Sequence, residues 1–153
     1  MADENIEIAY YESPIGNLEL KAFKGKLCEM NFIEDEVKIS SNNALLQLAL
    51  KELDEYFKGK RKEFDLELLM SGSEFQKKVW GELMKIPYGS TVSYGEIAEA
   101  IGNKNASRAV GNANNKNKIP IIIPCHRVIG KSGKLVGYAG GIWRKQWLID
   151  HEK

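Results

Sequence analysis

Cysteine and histidine are scarce in this 153-residue chain, which has two of each: Cys28 and Cys125, His126 and His151. Two cysteines make no disulfide framework. Residues 1–70, with one cysteine and no histidine, cannot supply the four ligands of a structural zinc site. The chain also lacks an N-terminal apolar stretch of the secretory kind and any apolar run long enough to span a bilayer. A reduced cytoplasmic setting with no membrane partner is therefore expected. Net charge is nearly absent at +1, but that balance conceals an asymmetry.

Divided at Ser71-Gly72, residues 1–70 carry 9 Lys/Arg against 15 Asp/Glu, net −6, while residues 71–153 carry 13 against 6, net +7. The basic half is the candidate surface for a polyanion. A chain of this length has room for two small cores. The expected organisation is thus a structural domain over 1–70 and a functional domain over 71–153.

The first third reads as a β-meander of Ile6–Tyr11, Leu18–Phe23 and Leu27–Ile33, separated by Ser13-Pro14-Ile15-Gly16 and Lys24-Gly25 turns. Residues 43–58 place Leu46, Leu50, Leu53 and Phe57 at helical spacing, opposite a charged face bearing Lys51, Glu52, Asp54 and Glu55. Phe64, Leu66 and Leu68 alternate with charges as a short strand would. The second half opens with a capping box, Ser73-Glu74-Phe75-Gln76, and a helix that Pro87-Tyr88-Gly89 ends. A second box, Ser93-Tyr94-Gly95-Glu96, starts a short helix that Gly102-Asn103 breaks before a third over Ala106–Asn115. Helix, glycine turn and helix is the pattern of a helix-turn-helix. Its second helix is built of small residues, Ser107, Ala109, Gly111 and Ala113 among them, around one long cation, Arg108. The expected fold is therefore α+β, a small N-terminal antiparallel sheet with a helix, joined to a mostly helical C-terminal domain containing the helix-turn-helix.

Chemistry concentrates in Ile121-Ile122-Ile123-Pro124-Cys125-His126-Arg127-Val128. A thiol reacts as thiolate, and cationic neighbours lower its pKa, so Cys-His-Arg after an apolar run suits a nucleophile. The plainer alternative is a small buried Cys125 beside a satisfied histidine. Adjacent residues of an extended segment point to opposite sides, so a water is expected between Cys125 and His126. Glu152, near the end of a last helix over 142–152, either orients His126 or is solvated. Arg127 is assigned a structural ion pair. Leu135 to Gly141 is a glycine-rich loop in which Tyr138 offers a stacking wall, and Trp143 and Trp147 are expected as core anchors of the last helix.

Pro124-Cys125-His126-Arg127-Val128, with Ser93-Tyr94, Arg108-Ala109-Val110-Gly111, Asn117, Tyr138 and Glu152 in order and at matching intervals, closely resembles the O6-alkylguanine-DNA alkyltransferases, the methylated-DNA–protein-cysteine methyltransferases. The match runs from Ser73 to Glu152. The resemblance implies DNA repair by direct, irreversible transfer of an alkyl group from O6 of guanine to Cys125, without a cofactor or metal and without turnover. Its partner would be double-stranded DNA carrying O6-alkylguanine, bound by a monomer. The target base would be flipped out of the duplex, with Arg108 filling the stack from the minor groove and Ser107, Ala109 and Gly111 letting the helix approach. Cys125, His126 and Glu152 would form the catalytic set, with Tyr94 assisting departure of the guanine. Asn117 would brace the turn, Val128 and Ala139 would read the base edge through backbone atoms, and Asn103 and Lys131 would contact phosphates. A non-catalytic lesion-binding protein of the alkyltransferase-like kind is the alternative, disfavoured because those proteins lack the cysteine. A Cys-His hydrolase is a second, for which no oxyanion hole is signalled.

Overall fold

A computed structural model of the chain describes residues 5–138 and 140–153 and divides it into two compact units, Met1–Met70 and Ser71–Lys153. No helix of the described residues is long and apolar enough to cross a membrane.

In the first unit β1 (Glu7–Ser13), β2 (Gly16–Phe23) and β3 (Lys26–Ile33) form an antiparallel sheet in the order β1-β2-β3. The register runs from Ser13↔Gly16 at the first turn to Phe23↔Lys26 at the second. Ser13 Oγ locks the first turn, donating to the Gly16 carbonyl and accepting from the Ile15 amide. Ala9, Leu18, Leu20, Leu27 and Met30 bury one face against Leu46, Ala49, Leu53 and Tyr56 of α1 (Ala44–Phe57). Asn43 caps that helix by accepting the Leu46 amide. Gly59, at φ +75, closes it with paired bonds from Gly59 N to Tyr56 O and Lys60 N to Glu55 O.

Two expectations change here. Glu52, placed on the charged face by periodicity, is buried, because its carboxylate accepts the Asp65 amide at 2.8 Å and faces Arg61 at 3.7 Å, holding the segment that returns from α1. The strand expected around Phe64, Leu66 and Leu68 contracts to a single bridge between Leu68 and Leu27. Phe64 instead packs its ring on Tyr56.

The second unit contains α2 (Glu74–Leu83), β4 (Val92–Ser93), α3 (Tyr94–Ala100), α4 (Ser107–Asn115), β5 (Val128–Ile129) and α5 (Ile142–His151). Both capping boxes form: Ser73 with Gln76 opens α2, and Ser93 with Glu96 opens α3. Gly102, at φ +83, ends α3 with bonds from Gly102 N to Glu99 O and Asn103 N to Ala98 O, so the chain turns sharply into α4. Helices α2, α3 and α4 pack together around Val79, Trp80, Leu83, Ile97, Ala98, Val110 and Ala113. Strand β4 pairs in parallel with β5, Val92 opposite Val128 and Ser93 opposite Ile129. This short ladder brings the start of α3 beside the segment that follows Cys125.

Trp143 is not a core anchor: it is 57% exposed, and Trp147 is half-buried and stacks on His151 at 4.9 Å. The buried face of α5 is instead Lys145, Leu148 and, just past its end, Glu152. The tryptophan that does anchor the unit is Trp80, whose indole Nε1 donates to the Ala113 carbonyl at 2.9 Å. Replacing Trp80 with Phe removes that bond and leaves a void, which should lower stability by about 1–3 kcal/mol. Urea unfolding checks this through a lower midpoint at constant slope; an unchanged midpoint would contradict the anchor.

Candidate active site

The path from α4 to Cys125 is a buried, tightly folded loop. Asn117 straddles it: its amide nitrogen donates to the Ile123 carbonyl at 2.7 Å while its oxygen accepts the Ile119 amide at 3.0 Å. Within the clasp, Ile122 N bonds to Pro120 O at 2.9 Å across Ile121, which sits at φ +73. This is a γ-turn of the rarer, strained hand, and a β-branched residue adopts it only when its surroundings hold it there. A second γ-turn, of the common hand, follows at Pro124 (φ −79, ψ 64), where Cys125 N bonds to Ile123 O at 2.7 Å.

These two reversals feed Cys125, His126 and Arg127 into a 3-10 turn rather than the extended segment expected from the apolar run. The reason is the clasp: Asn117 ties both ends of the Ile119–Ile123 loop together, and the chain cannot run straight. All three side chains are buried. The Cys125 carbonyl accepts from the Val128 amide and from Asn114 Nδ2 at 3.3 Å, so Asn114, absent from the sequence reading, helps fix the turn.

Glu152 gathers the site. Its Oε1 accepts Arg127 Nε at 2.8 Å and the Gly89 amide at 3.3 Å; its Oε2 accepts the second Arg127 guanidinium nitrogen at 2.9 Å and lies 2.7 Å from His126 Nε2. Arg127 also donates to the Ile86 carbonyl at 2.7 Å, and its guanidinium lies over the Tyr88 ring. Glu152 is therefore buried against His126 rather than solvated. Arg127 forms a buried ion pair, and its partner is this carboxylate. A carboxylate held by an arginine requires a donor from the imidazole, so His126 carries its proton on Nε2. Burial lowers its pKa, against the pull of Glu152. Its Nδ1, fully buried, has no hydrogen-bond partner among the described residues and keeps a free lone pair.

The thiol differs from expectation. Burial pushes Cys125 up to about 11, outweighing the Asn117 side chain and the Lys145 charge, both of which lower it. Cys125 is therefore a protonated, sheltered thiol at rest rather than a standing thiolate.

Tyr94 opens α3 half-buried and donates to the Val136 carbonyl at 3.0 Å. Burial, and then the charge of Cys125, raises its pKa. Gly111 on α4 faces the Tyr94 ring, where an added Cβ would sit 3.8 Å away. Outside this layer lies a groove of about 460 Å³ bordered by Tyr94, Ser107, Arg108, Gly111, Lys131 and Val136. Arg108 and Ala109 are exposed, as are Asn103 in the α3–α4 turn and Lys131 in the turn at Lys131–Gly133. Val128 is fully buried in β5 and Tyr138 is buried in the glycine-rich loop. Ala139 lies outside the described residues. The structure thus gathers Cys125, His126, Glu152, Arg127, Tyr94 and Asn117 around one centre, and sets Ser107, Arg108, Gly111 and Lys131 along the groove.

Lys145 is the other residue the sequence reading passed over. It shares a helical face with Leu148 and Glu152 at i, i+3 and i+7, and that spacing was the available signal. Two tryptophans at i and i+4 drew attention to the wrong face. Among the described residues no cluster of three or more His, Cys, Asp and Glu could hold a metal ion.

Comparison with known proteins agrees on both units. The family description "6-O-methylguanine DNA methyltransferase, DNA binding domain" matches residues 74–153, and "6-O-methylguanine DNA methyltransferase, ribonuclease-like domain" matches residues 6–70. The chain is 49% identical over 150 residues to the methylated-DNA–protein-cysteine methyltransferase of Methanosarcina acetivorans, covering 94% of this chain and 96% of the relative. It is 47% identical over 147 residues to that of Mycobacterium leprae, covering 93% and 89%. The crystal structure of Mycobacterium tuberculosis O6-methylguanine methyltransferase matches with a TM-score of 0.88 at 45% identity, covering 97% of this chain and 93% of that one. That of Mycobacterium tuberculosis OGT in complex with DNA matches with a TM-score of 0.86 at 47% identity, covering 94% and 92%.

The sheltered thiol has a measurable signature. Without DNA, iodoacetamide labelling of the Cys125 peptide, followed by mass spectrometry, should accelerate with pH through 9 and 10 and level off only near pH 11, because the thiolate fraction grows until the pH passes the folded pKa of about 11. A plateau below pH 8 would mean that the thiolate already exists at rest.

Proposed function

This chain belongs to the 6-O-methylguanine DNA methyltransferase family, and from that premise we propose how its own residues carry the reaction. Its activity is direct-reversal DNA repair, the transfer of an alkyl group from DNA to a cysteine of the protein. DNA is its partner, as it is for the related Mycobacterium tuberculosis protein.

In our reading the acceptor is Cys125, and the observation that carries it is the buried line from Glu152 through His126 to a partnerless Nδ1 on the residue that follows the cysteine in the chain. Glu152, held by Arg127 and Gly89, fixes the imidazole with Nε2 protonated. His126 Nδ1 then takes the Cys125 proton through a water, and Glu152 steadies the imidazolium that results. The thiolate attacks the alkyl carbon; an S–C bond forms as the carbon–O6 bond breaks, and the electron pair passes to the guanine. Tyr94 gives that ring a hydrogen bond or proton, so that a neutral base departs. An S-alkyl thioether offers no hydrolysable bond, so each molecule acts once.

The same reading assigns O6-alkylguanine in duplex DNA as the substrate and a monomer as the working form, with 71–153 as the DNA-binding and transfer domain and 1–70 as structural support in a cytoplasmic protein. Arg108, exposed on a helix whose neighbours Ser107, Ala109 and Gly111 are small, suits entry into a narrow minor groove and the space of an extruded base. Asn103 and Lys131, exposed near the groove, suit phosphates. Val128 and Ala139 are assigned backbone contacts to the base, and Tyr138 its wall. No metal or other cofactor is needed for these steps.

Mixed with a duplex containing O6-methylguanine, the protein should gain one methylene, mapped to the Cys125 peptide. Cys125→Ser should retain lesion binding and lose the gain. An unchanged mass with the duplex still bound would favour a lesion-binding protein instead. Arg108→Ala should slow transfer from duplex by about 10²-fold, since the vacated stack is left unfilled, and should slow transfer from the free base O6-methylguanine far less. Equal losses on both substrates would place Arg108 elsewhere in the reaction.

A further inference from the structure

Asn114 is the buried polar side chain that these steps leave half used. It stands on the inner face of α4 with Val110 and Ala113 and is 2% exposed. Its Nδ2 donates to the Cys125 carbonyl at 3.3 Å, which fixes the orientation of the amide, since the reverse would set two oxygens face to face. Its Oδ1 is buried with no hydrogen-bond partner among the described residues. A leucine would fill the same space without stranding an acceptor, so packing alone does not explain an asparagine there.

Two neighbours place that acceptor at the reacting centre. The first is the cysteine itself, whose carbonyl the amide holds; Cys125, at 5% exposure, is about as deeply covered as Asn114. Whatever opens to let an alkyl carbon reach the sulfur opens beside this amide too. The second is Tyr94, which borders the groove: burial and then Cys125 raise the pKa of that phenol, and a hydrogen bond with the Asn114 side chain opposes them. One amide thus spans the gap between the cysteine turn and the tyrosine that opens α3.

The chemistry of the base says what such an acceptor can meet. Alkylation at O6 leaves N1 without a proton, so the base carries acceptors at N1, N3, N7 and O6 and a single donor group, the exocyclic 2-amino. We propose that Asn114 is a specificity-determining residue, whose Oδ1 accepts a hydrogen bond from the 2-amino group of the extruded O6-alkylguanine. This rests on Cys125 being the alkyl acceptor. Nδ2 meanwhile keeps its hold on the Cys125 carbonyl, so the same side chain sets the turn and reads the base. A 6-alkoxypurine without the amino group leaves Oδ1 unpaired in a dry site, and a buried group left unpaired is how a site rejects an analogue of the same shape.

The test is single-turnover transfer to wild type and Asn114→Leu from two duplexes that differ only in the lesion, O6-methylguanine or O6-methylhypoxanthine. Loss of the Nδ2 bond to Cys125 slows transfer from both bases alike, whereas loss of Oδ1 slows it from guanine alone. The ratio of the two rates therefore separates reading of the base from support of the turn, and differences in how readily each base leaves the stack cancel between the two proteins. Wild type should prefer the guanine by at least about tenfold, and Asn114→Leu should reduce that preference by about tenfold. The same preference in both proteins, or equal rates from the two bases in wild type, would overturn the assignment. Should Asn114→Leu fail to fold, Asn114→Ala removes the same two polar atoms and is read in the same way. A wild type that transfers from neither base would sink the acceptor reading of Cys125 itself.

Discussion

The site depends on one buried carboxylate. Glu152 is shielded at the end of α5, yet it accepts two bonds from Arg127 and one from the Gly89 amide while it faces His126. Arg127 extends the hold to the Ile86 carbonyl at the end of the α2 region. One oxygen pair therefore ties together the close of the chain, the turn bearing the cysteine and the loop before β4. Removing one partner from such a pair strands the other's charge in a dry site, at a cost on the order of 3–5 kcal/mol. The same carboxylate faces the imidazole, so stability and the orientation of His126 share one anchor.

A single-use nucleophile faces opposing demands, since it must not react before its substrate arrives and must react quickly afterwards. Burial meets the first demand by holding the Cys125 thiol up to about 11. The second requires that the proton have somewhere to go and the new charge have a partner. In the mechanism we propose, His126 Nδ1 takes the proton, and the Asn117 side chain and the Lys145 charge are the groups that lower the thiol's pKa against its burial. Holding these groups in place takes the strained γ-turn at Ile121, the Asn117 clasp and the Asn114 bond to the Cys125 carbonyl. Such backbone strain persists only where surrounding structure over-determines it, and it concentrates at functional sites.

The groove side obeys a different constraint. Helix α4 carries small residues where it meets the Tyr94 ring and a single arginine where it meets solvent. The parallel pairing of β4 with β5 places Tyr94 and the cysteine turn next to one another although they lie far apart in sequence. The start of α3, which borders the groove, thereby adjoins the cysteine turn.

The sequence by itself determined the local elements, because each was specified by neighbours in the chain. Both capping boxes formed as their Ser-x-x-Gln and Ser-x-x-Glu patterns require, the meander kept its turns, and Gly102 ended α3 where its freedom at positive φ is needed. It also brought forward Cys125, His126, Arg127, Tyr94, Asn117, Arg108 and Glu152 as the residues with chemistry to do. Only the tertiary structure decided what surrounds each of them. Periodicity ranks a charged residue as exposed, since it has no knowledge of a distant partner. Glu52 is buried because the Asp65 amide comes to it, and Lys145 is buried because Val136 and Tyr94 do. The thiol's acidity likewise followed from burial rather than from the cations written beside it, one of which is committed to Glu152. Identity and spacing are properties of the chain, whereas desolvation and long-range pairing belong to the folded molecule, and it is those that set a pKa.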